Sequence, residues 1–67
     1  MKERLKEIRE QNKETQKTLA IALNTSQQQV NRYETGITKD INMRYLIAFC
    51  KHYHVSADYI LGLSDKK

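Results

Sequence analysis

Apolar residues recur along the chain with the spacing of one helix face, in blocks separated by short polar breaks. Leu5 and Ile8 stand three residues apart, and Leu19, Ala20 and Leu23 continue the same spacing in the next block. The pattern predicts five helices, over residues 2–12, 16–23, 27–35, 43–53 and 57–61. The fourth is the most hydrophobic, so we expect it to be central.

Residues that start or stop helices stand between these blocks. A side-chain oxygen at the N-cap accepts a hydrogen bond from a first-turn N–H group, and four residues are placed to do this: Thr15, Ser26, Asn42 and Ser56. Helices commonly end at a residue with left-handed backbone, most often glycine and sometimes asparagine. Asn24, Gly36 and Gly62 are therefore the expected ends of the second, third and fifth helices.

The composition narrows this picture to one small all-α domain. The 67 residues include no proline and two glycines, and the apolar residues are mainly Leu, Ile and Ala, which favour helices over strands. A chain below roughly 70–80 residues has a core that yields only about 3–5 kcal/mol. We therefore expect a single domain over residues 1–67, a compact five-helix unit without a large catalytic cleft.

The number of cysteines and the length of the apolar runs indicate in which cell compartment the protein acts. Cys50 is the single cysteine, which excludes an internal disulfide framework and a cysteine-based zinc site. The longest apolar run, residues 45–50, is far shorter than the roughly 20 residues that a bilayer requires. These features favour a cytoplasmic protein with no membrane association.

Metal, cofactor and catalytic sites are not indicated. His52 and His54 stand two residues apart, which directs them to different sides of a helix, and no cysteine or pair of acidic residues near them completes a ligand set. Cys50 lies within the apolar run, where a buried small hydrophobe is expected rather than a nucleophile. We predict no metal, no cofactor and no enzymatic activity.

The charge distribution favours a polyanion partner. The net charge is +4, and residues 15–33 contain Lys17 and Arg32 but no acidic residue. Within this segment, two predicted helices are joined by about three residues, as in a helix-turn-helix. Such a motif needs a small residue where the helices cross, a left-handed residue in the turn and a branched apolar residue on the second helix. Ala20, Asn24 and Val30 meet these three requirements.

The second helix of this motif, residues 27–35, carries outward side chains suited to reading base edges. They are Gln27, Gln28, Gln29, Asn31 and Arg32. The amides of Gln and Asn match the donor and acceptor of adenine, and the Arg fork matches the two acceptors of guanine. An ordinary solvated helix face carries Glu and Lys instead, so this composition favours contact with double-stranded DNA.

From Leu5 to Leu63 the chain resembles the lambdoid phage repressor and Cro group of helix-turn-helix proteins, also called the xenobiotic-response-element family. The matching segments are LKEIRE, TQKTLA, SQQQVNRYETG and SADYILGL. The resemblance implies a five-helix fold whose third helix enters the major groove. It further implies transcriptional repression by a dimer on a partly palindromic operator.

Matched by position, the resemblance also implies roles for individual residues. The base-reading residues would be Gln27, Gln28, Asn31 and Arg32. The residues contacting the DNA backbone would be Gln16, Lys17, Ser26, Thr35, Lys39 and Arg44. Arg9 and Glu34 would form a buried ion pair between the first and third helices. The loop after Gly36 departs from the family pattern, because Ile37, Asp40 and Ile41 stand where basic residues and proline are usual.

The sequence also bears on how the chain would form a dimer and on whether its main partner is a protein rather than DNA. A dimer without a separate dimerisation domain would form through the region of the fifth helix, with Ile60 and Leu63 as apolar contributors, and would be weak in solution. The alternative function is a protein-interaction module, such as an antitoxin or an adaptor, in which DNA binding is secondary. Exposed apolar residues away from the groove face, namely Ile21, Ile37 and Ile41, would support that alternative.

Overall fold

The computed structural model describes residues 1–36 and 40–67, and these residues form five α-helices and no strand. The helices are α1 (Lys2–Gln11), α2 (Gln16–Ala22), α3 (Gln27–Thr35), α4 (Met43–Tyr53) and α5 (Ala57–Ile60). The predicted all-α, five-helix fold is confirmed. Three helices, α1, α2 and α5, end one residue earlier than the sequence pattern predicts.

All four predicted N-caps are present. The side-chain oxygens of Thr15 and Ser26 each accept a hydrogen bond from the N–H group three residues later, at 3.1 Å in both cases. Asn42 Oδ1 accepts from two N–H groups in the first turn of α4, and Ser56 caps α5 in the same manner as Ser26 caps α3. Each cap satisfies donors that have no partner within their own helix.

The turn between α2 and α3 forms at Asn24, as predicted. Its backbone is left-handed, with φ 56°. The N–H of Asn24 donates to the carbonyl of Ile21, and the N–H of Thr25 donates to that of Ala20 at 2.8 Å. This pair of bonds is a Schellman ending, which closes α2 abruptly and directs the chain into α3.

The core lies where α1, α2, α3 and α4 meet, and α5 closes one side. Its fully buried side chains include Leu5, Ile8, Leu19, Val30, Phe49 and Ile60. The fourth helix contributes Tyr45, Leu46 and Phe49, whereas Met43 and Ile47 are 65% and 48% exposed. The expectation that α4 is central therefore holds for one face only.

The residues after α5 pack back against α1. Arg4 NH1 donates to the carbonyls of Tyr59 and Ser64, both at 2.7 Å, and Arg4 NH2 contacts Asp65 at 3.0 Å. The guanidinium also lies over the ring of Tyr59, 4.1 Å from its centroid. This set of contacts fixes the path of the chain through Leu63, whose side chain is exposed.

No helix in residues 1–36 and 40–67 combines the length and apolar character that crossing a membrane demands.

Candidate nucleic-acid interface

The third helix divides into a buried side and an exposed side. Val30, Tyr33 and Glu34 face the interior. With about 100° of rotation per residue, the remaining outward side chains occupy one arc of roughly 140°. They are Gln27, Gln28, Asn31, Arg32 and Thr35, and all are exposed. The face that the residue pattern predicts is therefore a continuous polar strip. Gln29 is a correction: it is half-buried, because it lies on the side of α3 that turns toward α4.

Three side chains on this strip have no hydrogen bond to any other described residue. They belong to Gln27, Gln28 and Arg32, and no ion pair occupies Arg32 within residues 1–36 and 40–67. Their donors and acceptors are available to an external partner. Because Ser26 caps the helix and no acidic residue stands in its first turn, the N-terminal half of the strip carries no negative charge.

A buried ion pair links the inner side of this helix to α1. Arg9 Nε donates to Glu34 Oε2 at 2.7 Å, and Arg9 NH2 donates to Glu34 Oε1 at 2.9 Å. Both residues are less than 10% exposed. The hydrogen bonds to Glu34 raise the pKa of the Arg9 guanidinium, and burial opposes them more weakly. A third bond, from Arg9 NH1 to the carbonyl of Glu14, ties the pair to the segment before α2.

Gln16, the first residue of α2, joins the ion pair to the exposed strip. Its Nε2 atom donates to Glu34 Oε1 and to Asn31 Oδ1, at 3.2 Å in each case. Asn31 is thereby the one base-reading candidate whose side chain is held by another described residue. Nothing in the sequence spacing signals this link, because it joins positions 15 and 18 residues apart.

The candidates for backbone contacts flank the strip. Lys17 and Arg44 are exposed in the first turns of α2 and α4. Ser26 and Arg44 line the same groove, between the turn of the motif and the start of α4. The Thr35 hydroxyl donates to the carbonyl of Asn31 at 2.9 Å. Lys39 lies outside the residues that the structure describes.

Comparison with known proteins agrees with this geometry. A family model described as helix-turn-helix matches residues 5–60, which is most of the chain. The chain belongs to this helix-turn-helix family. The resemblance to the lambdoid repressor and Cro group is thereby confirmed, and its members are DNA-binding proteins that are typically not enzymes. No curated protein and no solved structure gives a match to the chain.

With this family membership, the strip on α3 is the candidate DNA-reading face, and α2 with α3 is the candidate helix-turn-helix motif. Tyr33 holds this unit against the next element, because its hydroxyl accepts from the N–H of Asn42 at 3.0 Å. The hydroxyls of Tyr45 and Tyr53 are buried without a hydrogen-bond partner among the described residues. These tyrosines pack as core residues, and burial raises the pKa of Tyr45 well above its usual value.

A second polar link of the helix-turn-helix protein joins His52 to Glu14. His52 Nε2 is 2.9 Å from Glu14 Oε1, which joins the end of α4 to the segment between α1 and α2. This hydrogen bond is the main cause that lowers the pKa of Glu14 below its ordinary value. No three His, Cys, Asp or Glu residues within the described ranges are grouped so as to hold a metal ion.

Apolar residues at the surface differ in part from expectation. Ile60 is fully buried, so the prediction that it contributes to a dimer contact is wrong. Leu63 is 75% exposed and Ile21 is 72% exposed. Ile41 is partly buried against the core rather than presented to a partner, and Ile37 lies outside the described residues.

Proposed function

We propose that this helix-turn-helix protein is a sequence-specific transcriptional regulator that acts in the cytoplasm as a repressor. The observation that carries the proposal is the polar strip on α3, where Gln27, Gln28 and Arg32 present donors and acceptors that no side chain in residues 1–36 and 40–67 occupies. Side chains of these types make paired hydrogen bonds with adenine and guanine in the major groove. A protein seated there covers DNA that a polymerase needs, and repression follows from this occlusion.

Contacts with the DNA backbone would position the strip without reading sequence. For this role we propose Gln16, Lys17, Ser26, Thr35, Lys39 and Arg44. The first turn of α2 carries no acidic residue, so the positive end of its dipole is available to a phosphate. Lys17 and Arg44 are exposed, and their charges suit phosphates on either side of the groove.

A dimer on the operator is part of the proposal. One recognition helix reads too few base pairs to select a site in a genome, whereas two copies related by a two-fold axis read two half-sites about 34 Å apart. Leu63 is the best-placed apolar contributor, since it is exposed beside a chain segment that Arg4 holds in place. We expect the dimer to be weak in solution and to be completed on DNA.

Selection from randomised duplexes, followed by footprinting and sedimentation on the recovered site, tests this function. The expected result is two protected half-sites one helical turn apart, with binding that weakens steeply as salt is raised because both subunits release counterions. Full affinity from one subunit on one half-site would refute the dimer. Recovery of no preferred sequence would refute sequence-specific regulation.

The second candidate function, a protein-interaction module, is favoured by one observation. Ile21 on α2 is a large apolar residue that is 72% exposed. A module of this kind would bind DNA weakly and with no preferred site. Replacement of Ile21 by serine distinguishes the two functions, since it should leave operator binding unchanged if the protein is a regulator but abolish binding of a protein partner in the alternative.

A further inference from the structure

The side chain of Lys2, the first residue of α1, lies against the C-terminal end of α3. Gly36 is the C-cap of α3, and its backbone is left-handed with φ 78°. A Cβ atom at Gly36 would lie 2.7 Å from Cδ of Lys2 and 3.3 Å from its Nζ. Because glycine has no Cβ, the aliphatic part of Lys2 can approach the backbone there. The ammonium group of Lys2 therefore lies beside the last turn of the helix that carries the polar strip.

The charge of Lys2 lies at the favourable end of α3, although Lys2 belongs to α1. A cation is unfavourable in the first turn of a helix and favourable at the C-terminal end. Lys2 is exposed, and neither a hydrogen bond nor an ion pair joins its ammonium to another residue in 1–36 or 40–67. The neighbouring acid, Glu3, instead contacts the terminal ammonium of Met1 at 3.6 Å. The three donors of Lys2 are thus available to an external acceptor.

Phosphates are the acceptors that this end of α3 meets if the strip reads DNA. No point in a major groove about 12 Å wide is more than about 6 Å from one of its edges, where the phosphates stand. The partial negative charge of a helix C-terminus repels a phosphate, and the ammonium of Lys2 offsets that charge. The hydroxyl of Thr35, at the same end, donates to the carbonyl of Asn31 at 2.9 Å. Lys2 therefore offers the donors that a phosphate requires there.

We propose that Lys2 binds a phosphate of the DNA backbone at the C-terminal end of α3. Ser26 and Arg44 line a groove beside the other end of this helix, so a cation would flank each end of the strip. The inference rests on the proposed function, because it requires α3 to lie in the major groove. It adds a residue of α1 to the DNA-binding surface. Sequence spacing does not signal this role, because Lys2 and Gly36 stand far apart in the chain.

The variant Lys2→Gln removes the charge and keeps a side chain of similar polarity. Lys6→Gln is the matched control, since it makes the same change at an exposed position one turn further along α1. Lys6 lies in a shallow surface region formed by α1 alone, together with Glu3, Glu7, Glu10 and Gln11. Both variants are compared with the unmodified protein on a duplex recovered by selection from random sequences. Thermal melting checks that each variant is folded.

The dependence of affinity on salt is the first measurement. Each phosphate contact adds about 0.9 to the slope of log affinity against log salt concentration. Lys2→Gln is expected to lower this slope by about 0.9 per subunit, which corresponds to about an eightfold loss of affinity per subunit between about 1 M and 0.1 M salt. A phosphate contact reads no bases, so the preference for the selected site over a duplex with one altered base pair should change by less than about twofold. Lys6→Gln and Lys2→Arg should keep the slope of the unmodified protein.

Replacement of single phosphates by neutral methylphosphonates is the second measurement, and it locates the contact. At one position in each half-site the replacement should weaken the unmodified protein and Lys6→Gln by about fivefold or more. Lys2→Gln has already lost that contact, so the same replacement should weaken it by less than about twofold.

The outcomes separate this inference from the proposed function. Recovery of no preferred site in the selection would overturn both. At a recovered site, equal salt slopes for Lys2→Gln and Lys6→Gln would overturn the inference alone. So would a methylphosphonate scan in which no position distinguishes these two variants. A lowered melting temperature of Lys2→Gln with an unchanged salt slope would show that Lys2 only stabilises the end of α3, which also overturns it.

Discussion

Removal of one partner of the Arg9–Glu34 pair is expected to destabilise the protein severely. The side chains of Arg9 and Glu34 are 10% and 3% exposed, so neither charge can turn to water without disturbing the core. Arg9→Met leaves the Glu34 carboxylate with Gln16 as its remaining hydrogen-bond partner. Glu34→Leu leaves two donor groups of Arg9 without acceptors. A buried charge stranded in this way costs about 3–5 kcal/mol.

This cost is comparable with the whole stability of the domain. At about 0.05–0.15 kcal/mol per residue, a chain of 67 residues has a free energy of unfolding of roughly 3–10 kcal/mol. For domains of this size each kcal/mol shifts the melting temperature by about 4–8 °C. Each single variant is therefore expected to melt at least about 12 °C below the unmodified protein, or to be unfolded at room temperature. The double variant Arg9→Met/Glu34→Leu strands no charge and should recover most of the loss.

Urea denaturation followed by circular dichroism measures these differences, and Lys6→Met serves as the control. Lys6 is exposed on α1, so the same chemical change should shift the free energy of unfolding by no more than about 0.5 kcal/mol. A double variant as unstable as the worse single variant would show that the loss does not arise from a stranded charge. Single variants that lose less than about 1 kcal/mol would show that the pair is effectively solvated.

Three other outcomes are expected. Arg32→Ala and Gln28→Ala should each lose about 1–3 kcal/mol of discrimination at one operator position in competition binding, with an unchanged melting temperature because both side chains are exposed; equal affinities for the preferred site would contradict their role. His52→Ala should raise the pKa of Glu14 toward 4.5 in a carboxyl NMR titration, since the hydrogen bond from His52 is what chiefly lowers it. A lowered folded-state pKa contributes stability above about pH 4.5 that is lost as pH falls through the folded value, so the variant should lose less stability on acidification. Leu63→Asp should prevent joint occupancy of two half-sites in footprinting while one subunit still binds, and unchanged joint occupancy would exclude this residue from the dimer contact.

Local chemistry explains why the helices could be predicted from the sequence. The caps at Thr15 and Ser26 act within three residues of themselves, so the relevant donors are already specified by the chain. Helix ends were harder to predict from the sequence where the residue with left-handed backbone was neither glycine nor asparagine. His54 ends α4 with φ 56°, and Lys13 follows the end of α1 with φ 58°. Histidine is enriched in this backbone among non-glycine residues, whereas lysine is uncommon there. Local backbone hydrogen bonds close both ends, from Lys13 N–H to the carbonyl of Glu10 and from Val55 N–H to that of Cys50.

Burial was predicted well for one side of each helix and poorly at the surface. Met43 and Ile47 are apolar and lie at helical spacing, yet they are 65% and 48% exposed, because α4 has more apolar residues than its neighbours cover. Ile60 shows the opposite error. It was expected at a dimer contact, but α5 is only four residues long and turns Ile60 fully into the core. Residue type alone does not report which side of a short helix faces its neighbours.

The exposed strip of α3 follows from helix periodicity, but the chemical role of each residue on it does not. Periodicity places Asn31 beside Gln27 and predicts that both amides are free to pair with adenine. In the folded protein the two differ, because the Asn31 side chain accepts a hydrogen bond from Gln16 Nε2 whereas the Gln27 side chain has no hydrogen bond to any described residue. Gln16 is oriented in turn by a carboxylate whose position depends on Arg9 in α1. The position of the Asn31 side chain is thus linked through Gln16 and Glu34 to the packing of α1 against α3, so a candidate base-reading residue depends on Arg9, a core residue 22 positions earlier.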